Sequence, residues 1–465
     1  MATRFMQALR RWPACVAAGP LLFFSGQRGL RADGETLCTK FEDVALVEPG
    51  SDSSFAWINR IEGPVGAQTS AIYQRYRTLL AKEGGGLGHL VRLHIYQRDK
   101  RFFPVFDRIR RRHEPNEPTP STAIGMGRLD PDDAARMCAD AIALRPSAEQ
   151  YFGARRAFRG AERQSAAASY SHVVGAGPLR FIAGQIPVDT SKPGAPLVRG
   201  YDDIPEEGRI LRVGRSHEDA RNGPIAAQTW FTYDLIRQHL EHSGSSLAQV
   251  LNLTVYLQDM RDFPSFHRVH ERFFPHEPPA LTVVAADEVG HKGTLIEIEP
   301  TALAHDAPFA RRAIASPSGI APAQMSVLVE AGGLTFISGM LGLSDHGEPV
   351  TTYAQLPARC RRGLKKGSAA AANPTVLQAL MALARVEQAL SMTDTGFDRI
   401  AHLTMYLSDI RDFLALEPAL VRALGDARPA LTVVEVPTPG PVIDARVSMT
   451  AIAWLGTGAP ATATR

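Results

Sequence analysis

The residues best placed to do chemistry are two acids on an apolar strand, Glu297 and Glu299 in Leu295-Ile-Glu297-Ile-Glu299. A carboxyl among Leu and Ile can hold a water and move its proton, which is general acid-base work. The same alternation also describes a strand with one face in water. Two arginines stand at comparable places, Arg136 two residues before Cys138 and Arg446 two residues before Ser448. Residues two apart on a strand share a face, so each guanidinium is expected about 6 to 7 Å along the strand from its neighbour, within reach of an anion. On that reading, replacing both by Met should weaken an anionic ligand about tenfold or more, whereas arginines turned to water would leave it unchanged.

Tyr170 and His172 precede another strand, the first as a ligand contact or a packing residue, the second read as a surface residue before a proton carrier. Ser25 and Ser338 have no base beside them in sequence and are not read as nucleophiles. Asp99, Asp259 and Asp409 read as helix caps.

These residues sit in a pattern repeated three times. Tyr96-Gln-Arg-Asp99-Lys-Arg-Phe-Phe103, Tyr256-Leu-Gln-Asp259-Met-Arg-Asp-Phe263 and Tyr406-Leu-Ser-Asp409-Ile-Arg-Asp-Phe413 are one phrase. Ahead of each comes a strand ending in Gly26-Gln, Gly184-Gln185 or Gly339-Met, then a Gly-Pro or Asn-Pro stretch leading to Gln68, Gln228 or Gln378. Each closes on Thr122, Thr282 or Thr432 after a Pro-rich turn. So long a period fits whole small domains. The boundaries read as repeat 1 over 1–148, repeat 2 over 160–306 and repeat 3 over 312–457, with linkers at 149–159 and 307–311.

Periodicity within repeat 2 predicts a strand over 173–183, a helix over 226–243, a strand over 250–257, a helix over 263–273 and a closing strand pair at 281–284 and 295–299. The order is ββαβαββ, an α/β (α+β) class. Three such units would each leave a bare sheet face, so they are expected to pack as a pseudo-trimer around a central barrel-like core with outer helices and a cleft at each junction.

The 465 residues, 45% of them apolar, suffice for several cores, and 51 basic against 48 acidic residues give a net charge of +3. That balance argues against nucleic-acid or membrane partners. Four scattered cysteines fit a reducing cytoplasm, and the apolar run 13–24 after Arg10-Arg11 reads as a core strand ahead of an export signal. No phosphate loop or metal-ligand spacing occurs, so no cofactor is expected.

Ala168-Ser-Tyr170-Ser-His172, Ala183-Gly-Gln185-Ile-Pro-Val-Asp189, Val255 to Phe263 and Leu295 to Glu299 together resemble the RidA/YjgF family of reactive-intermediate deaminases, usually homotrimers of single domains. The resemblance implies one chain imitating that trimer, a small-molecule ligand at the inter-repeat clefts and a protein able to act as a monomer. It implies hydrolytic deamination of enamines or imines without a cofactor, with Glu297 orienting water and Tyr170, Gly184, Gln185 and Thr282 binding substrate beside Gly26 and Gly339, while strand parity adds Arg136 and Arg446 as anion-binding replacements. The family's carboxylate-holding arginine is replaced by Pro120, Leu281 and Leu431, and its glutamate by Cys138 and Ser448 in repeats 1 and 3. Losing the arginine fork leaves an anion facing apolar groups at a cost of about 2 to 5 kcal/mol. Two alternatives stand beside the deaminase: an inactive ligand-binding or scaffold protein, and a chorismatase-like or ring-opening hydrolase. The ring-opening hydrolases use serine and lysine in each repeat, and no lysine recurs at matched positions here. Long segments between first hairpin and first helix, acidic at 200–208 and basic at 359–367, are expected to act as lids or binding loops over the clefts.

Overall fold

The computed structural model describes residues 1–44, 56–158, 170–315, 325–361, 364–456 and 461–464. It is a mixed α/β structure. The elements are α1 (Ala2–Leu9), β1 (Cys15–Ala18), β2 (Leu21–Arg28), α2 (Ala56–Lys82), β3 (Leu90–Gln97), α3 (Phe103–His113), β4 (Ser121–Gly125), β5 (Met137–Leu144), α4 (Glu149–Phe152) and β6 (Arg155–Phe158). There follow β7 (Val173–Ala176), β8 (Leu179–Ile182), α5 (Ser216–His242), β9 (Val250–Leu257), α6 (Phe263–Phe273), β10 (Ala280–Ala285), β11 (Ile296–Leu303) and β12 (Arg312–Ala315). The last are β13 (Ser326–Ala331), β14 (Leu334–Leu341), α7 (Pro374–Ser391), β15 (Ile400–Leu407), α8 (Phe413–Leu424), β16 (Ala430–Glu435), β17 (Val447–Trp454) and β18 (Ala461–Thr464). The order ββαβαββ is therefore found from β1 to β5, from β7 to β11 and from β13 to β17.

The strands form one six-stranded and one twelve-stranded sheet, joined within the larger by β10 lying parallel to β13 at Ala280 and Ser326. Neither sheet closes on itself among the described residues. The predicted closing pair is corrected. β10 runs parallel to β9 and β11 antiparallel to it, so both flank one central strand and do not pair with each other. Residues 155–158, expected in a linker, pair with β7, and β12 and β18 take matching places on β13 and β1.

The opening ββ of the expected order lies within 173–183 as a hairpin, turning at Gly177 with φ of 51°. A left-handed residue there suits glycine, and the Phe152 carbonyl oxygen lies 1.9 Å from where a Cβ would stand. The helix expected from 226 begins at Ser216, because Pro224 sits inside it, as Pro64 sits inside α2. An interior proline forfeits only its own N–H bond and strains one carbonyl, and the buried face of α5 outweighs that.

The longer helices occupy much of what read as loops. Tyr201 and Ile204 join the core under α5, and Gly208 lies against the Trp230 ring. The acidic segment 200–208 thus packs on a helix away from the large cavity described below, which corrects its reading as a lid. Of the basic segment, residues 362 and 363 lie outside the described residues. No helix among the described residues is long and apolar enough to cross a membrane.

Corresponding side chains of the three stretches meet inside. One buried cluster gathers Tyr96, Tyr256 and Tyr406 with Ile124, Val284 and Val434, and the Tyr256 and Tyr406 hydroxyls stand 3.5 Å apart.

Candidate active site

Strand register determines which residues correspond. Glu297 pairs with Tyr256, Cys138 with Tyr96 and Ser448 with Tyr406, so these three hold one position in three settings. Gly184, Gly26 and Gly339 face them. A Cβ on Gly184 would come 2.3 Å from Glu297 Oε1 and 2.9 Å from Thr122; on Gly26 it would meet Cys138 and Thr432, and on Gly339, Thr282 and Ser448. The glycines let one strand approach another closely enough for the acid to fit.

Thr282, expected beside Glu297, therefore belongs to the junction of Gly339 and Ser448. Thr122 takes its place because each junction draws its threonine from a different stretch of chain. Gln185 is another correction of role. Its N–H donates to the Ile298 carbonyl at 2.9 Å and its side chain to the Ala183 carbonyl at 2.9 Å, so it serves the ladder and not the cavity.

Glu297 and Glu299 are both buried, so the solvated-face reading does not hold. Glu297 lines a cavity of about 950 Å³ together with Tyr170, Gly184, Ser121, Ala123, Gly290 and Lys100. Burial pushes its carboxyl up to about 7, against the pull of the Lys100 charge and the Gly290 and Ala123 amides, while the Glu299 charge adds to the rise. It can give and take a proton near neutral pH. Burial and the Glu297 charge push the Tyr170 phenol up to about 12, so it enters the cavity as an O–H donor. Burial pushes the Cys138 thiol up to about 11, and Ser448 has no acid to offer.

Arg136 and Arg446 stand exposed just before β5 and β17, outside the lining of this cavity. Strand parity does not reach them because the chain is clamped there: their N–H groups donate at 2.7 Å to Gln68 and Gln378, as Leu295 does to Gln228. The recurring glutamine is thus a structural clamp. We expect Arg136→Met with Arg446→Met to leave anion affinity in this cavity unchanged; a tenfold loss by calorimetry would restore the sequence reading.

The position of the missing arginine also shifts. Ser121 lies opposite Leu93 as Leu281 lies opposite Leu253 and Leu431 opposite Leu403, so Ser121 and not Pro120 holds that place. Arg110 donates to Ser121 Oγ at 2.7 Å and to the Thr119 carbonyl, and pairs with Glu114 at 3.4 Å. Its guanidinium serves the fold.

Ser25 and Ser338 tie strands together, each accepting an N–H at 2.8 Å, from Leu431 and Leu281. The three aspartates cap short turns as expected, accepting from Arg101, Arg261 and Arg411. His172 is half-buried and stacks on His239 at 4.7 Å, so it is not a surface residue. Sequence reasoning missed Lys100, though a signal existed: a charge in the repeated phrase where Met260 and Ile410 stand.

The family described as Endoribonuclease L-PSP matches residues 160–304. A RutC family protein of Pyrococcus horikoshii is 35% identical over 133 residues, covering 29% of this chain and 85% of the relative. The chain belongs to the RutC/RidA family. The yeast protein HMF1 of Saccharomyces cerevisiae, 31% identical over 121 residues, spans 26% of this chain and 74% of its own. Among solved structures, a Klebsiella pneumoniae chain is 34% identical with a TM-score of 0.28, covering 29% of this chain and 99% of its own. The RutC/RidA match thus contains β7 to β11, and with them Glu297, Gly184 and Tyr170, while Lys100, Ser121 and Thr122 come from outside it.

Proposed function

We propose that the chain is three tandem copies of the RutC/RidA unit, over 1–148, 160–306 and 312–457, packed as a pseudo-trimer, and that it hydrolyses an enamine or imine at the junction of the first two. The recurrence of ββαβαββ, the common register of Glu297, Cys138 and Ser448, and the meeting of three tyrosines support the repeat. The observation that carries the chemistry is a carboxyl held near neutrality in a cavity beside Tyr170.

Glu297 takes a proton from water as its oxygen attacks the C=N carbon. It returns that proton to nitrogen to give a carbinolamine, then carries the carbinolamine's hydroxyl proton to the same nitrogen as the C–N bond breaks, and a carbonyl compound and ammonia leave. The Tyr170 hydroxyl donates to a lone pair of the substrate. The other two junctions hold a thiol and a hydroxyl where this acid stands, so one site of three works.

The test is ammonia release from a panel of imines and enamines made from amino acids. The wild type and Cys138→Ala should release ammonia at equal rates. Silence across the panel, or release that survives Glu297→Gln, overturns the reading and favours a ligand-binding protein.

A further inference from the structure

Lys100 has no part in the steps above, yet it is built into the same cavity. It follows the cap Asp99, and its N–H donates to Glu288 Oε2 at 2.9 Å, which fixes its backbone. Its Nζ donates to the Ala123 carbonyl oxygen at 2.5 Å, while the Ala123 amide favours the charged form of Glu297. The backbone of one residue, Ala123, thus holds an amine by its carbonyl oxygen and a carboxyl by its N–H. The matching residues at the other junctions are Met260 and Ile410, opposite Ser448 and Cys138 in place of an acid. Amine and acid occur together at one junction only.

Burial lowers the pKa of Lys100, against the opposing charges of Glu297 and Glu288. A desolvated lysine is the usual form of an amine nucleophile, and an amine that gives one N–H to a carbonyl keeps its lone pair for an electrophile.

We propose that Lys100 captures small aldehydes and ketones as an imine, with Glu297 as its proton carrier. The Nζ lone pair attacks the carbonyl carbon and Glu297 protonates the oxygen. The new ammonium returns a proton to Glu297, which gives it to the hydroxyl. Water leaves as the nitrogen lone pair closes the C=N bond, and the protonated imine hands its remaining proton back to Glu297, so amine and carbonyl become imine and water with no oxidant or reductant.

The test incubates the full chain with pyruvate, reduces with borohydride and maps peptides by mass. The Lys100 peptide should gain the mass of pyruvate less one oxygen, the Lys100→Met variant should show no gain there, and Glu297→Gln should label at least ten times more slowly. An unlabelled Lys100 in the wild type, labelling no faster than at the exposed Lys82, or an undiminished rate in Glu297→Gln overturns the proposal. Trapping needs no turnover, so its failure is separate from a failure of ammonia release.

Discussion

Glu297→Gln lowers kcat/KM on any imine the protein hydrolyses by about 100- to 10,000-fold, the usual span for a lost general acid-base group. The amide keeps the shape against Gly184 and can still hold a water, but it cannot carry the proton between water and nitrogen. The same substitution raises the unfolding temperature at pH 8. An acid held at about 7 when folded, against its ordinary 4.5, opposes folding increasingly as pH rises from 4.5 to 7 and fully above that. Removing the ionisation relieves that cost, while at pH 4, where the acid is neutral in both states, the two proteins should unfold alike. Wild-type kcat/KM should fall as pH drops through about 7, since the ionised form takes the first proton. Activity lost with stability gained separates a working acid from a packing residue; loss of both would assign Glu297 to the fold.

How far this site was legible in sequence depends on whether its parts lie along one stretch of chain. Glu297 and Tyr170 were legible because alternation on β11 and the residues before β7 are local patterns. So were the central strand 250–257 and the helix 263–273, whose periodicities match their observed bounds. Thr122 was not, because the junction brings it from β4 across to Gly184, and its counterpart Thr282 is the nearer candidate by sequence alone. Arg136 failed for a different reason: parity holds only within a strand, and the Gln68 clamp ends the strand one residue short of it. The strands β10 and β11 read as partners because they are consecutive, whereas both pair with β9, which lies between them.

Arg92→Met should cost about 3 to 5 kcal/mol, the penalty for leaving one member of a buried ion pair without its partner. Arg92 donates to Glu299 Oε1 at 2.7 Å, to Thr301 at 2.9 Å and to the carbonyls of Ile182 at 3.0 Å and Pro300 at 2.6 Å. His94 completes the network between two carboxylates, reaching Glu299 at 2.8 Å and Asp140 at its other ring nitrogen. Thr122 donates to Glu299, and Thr432 donates to Asp140 at 2.8 Å, so residues from three stretches of chain depend on these charges. Burial alone would lower the His94 pKa, but the Glu299 and Asp140 charges outweigh it and raise the ring from 6.5 to about 10. A raised histidine stabilises the fold fully below 6.5, and that contribution drains away as pH climbs through about 10. Burial likewise opposes ionisation of Glu299 and Asp140, but Arg92 with His94, and His94, hold them below their ordinary 4.5 and 3.8, so their contribution is lost on the acid side. The network is therefore strongest between about pH 4.5 and 6.5. Thermal unfolding followed from pH 5 to 10 should show the wild type losing stability on the alkaline limb and His94→Asn losing much less there, from a lower start. Parallel curves would mean that the imidazole is neutral, and that Glu299 leans on Arg92 alone.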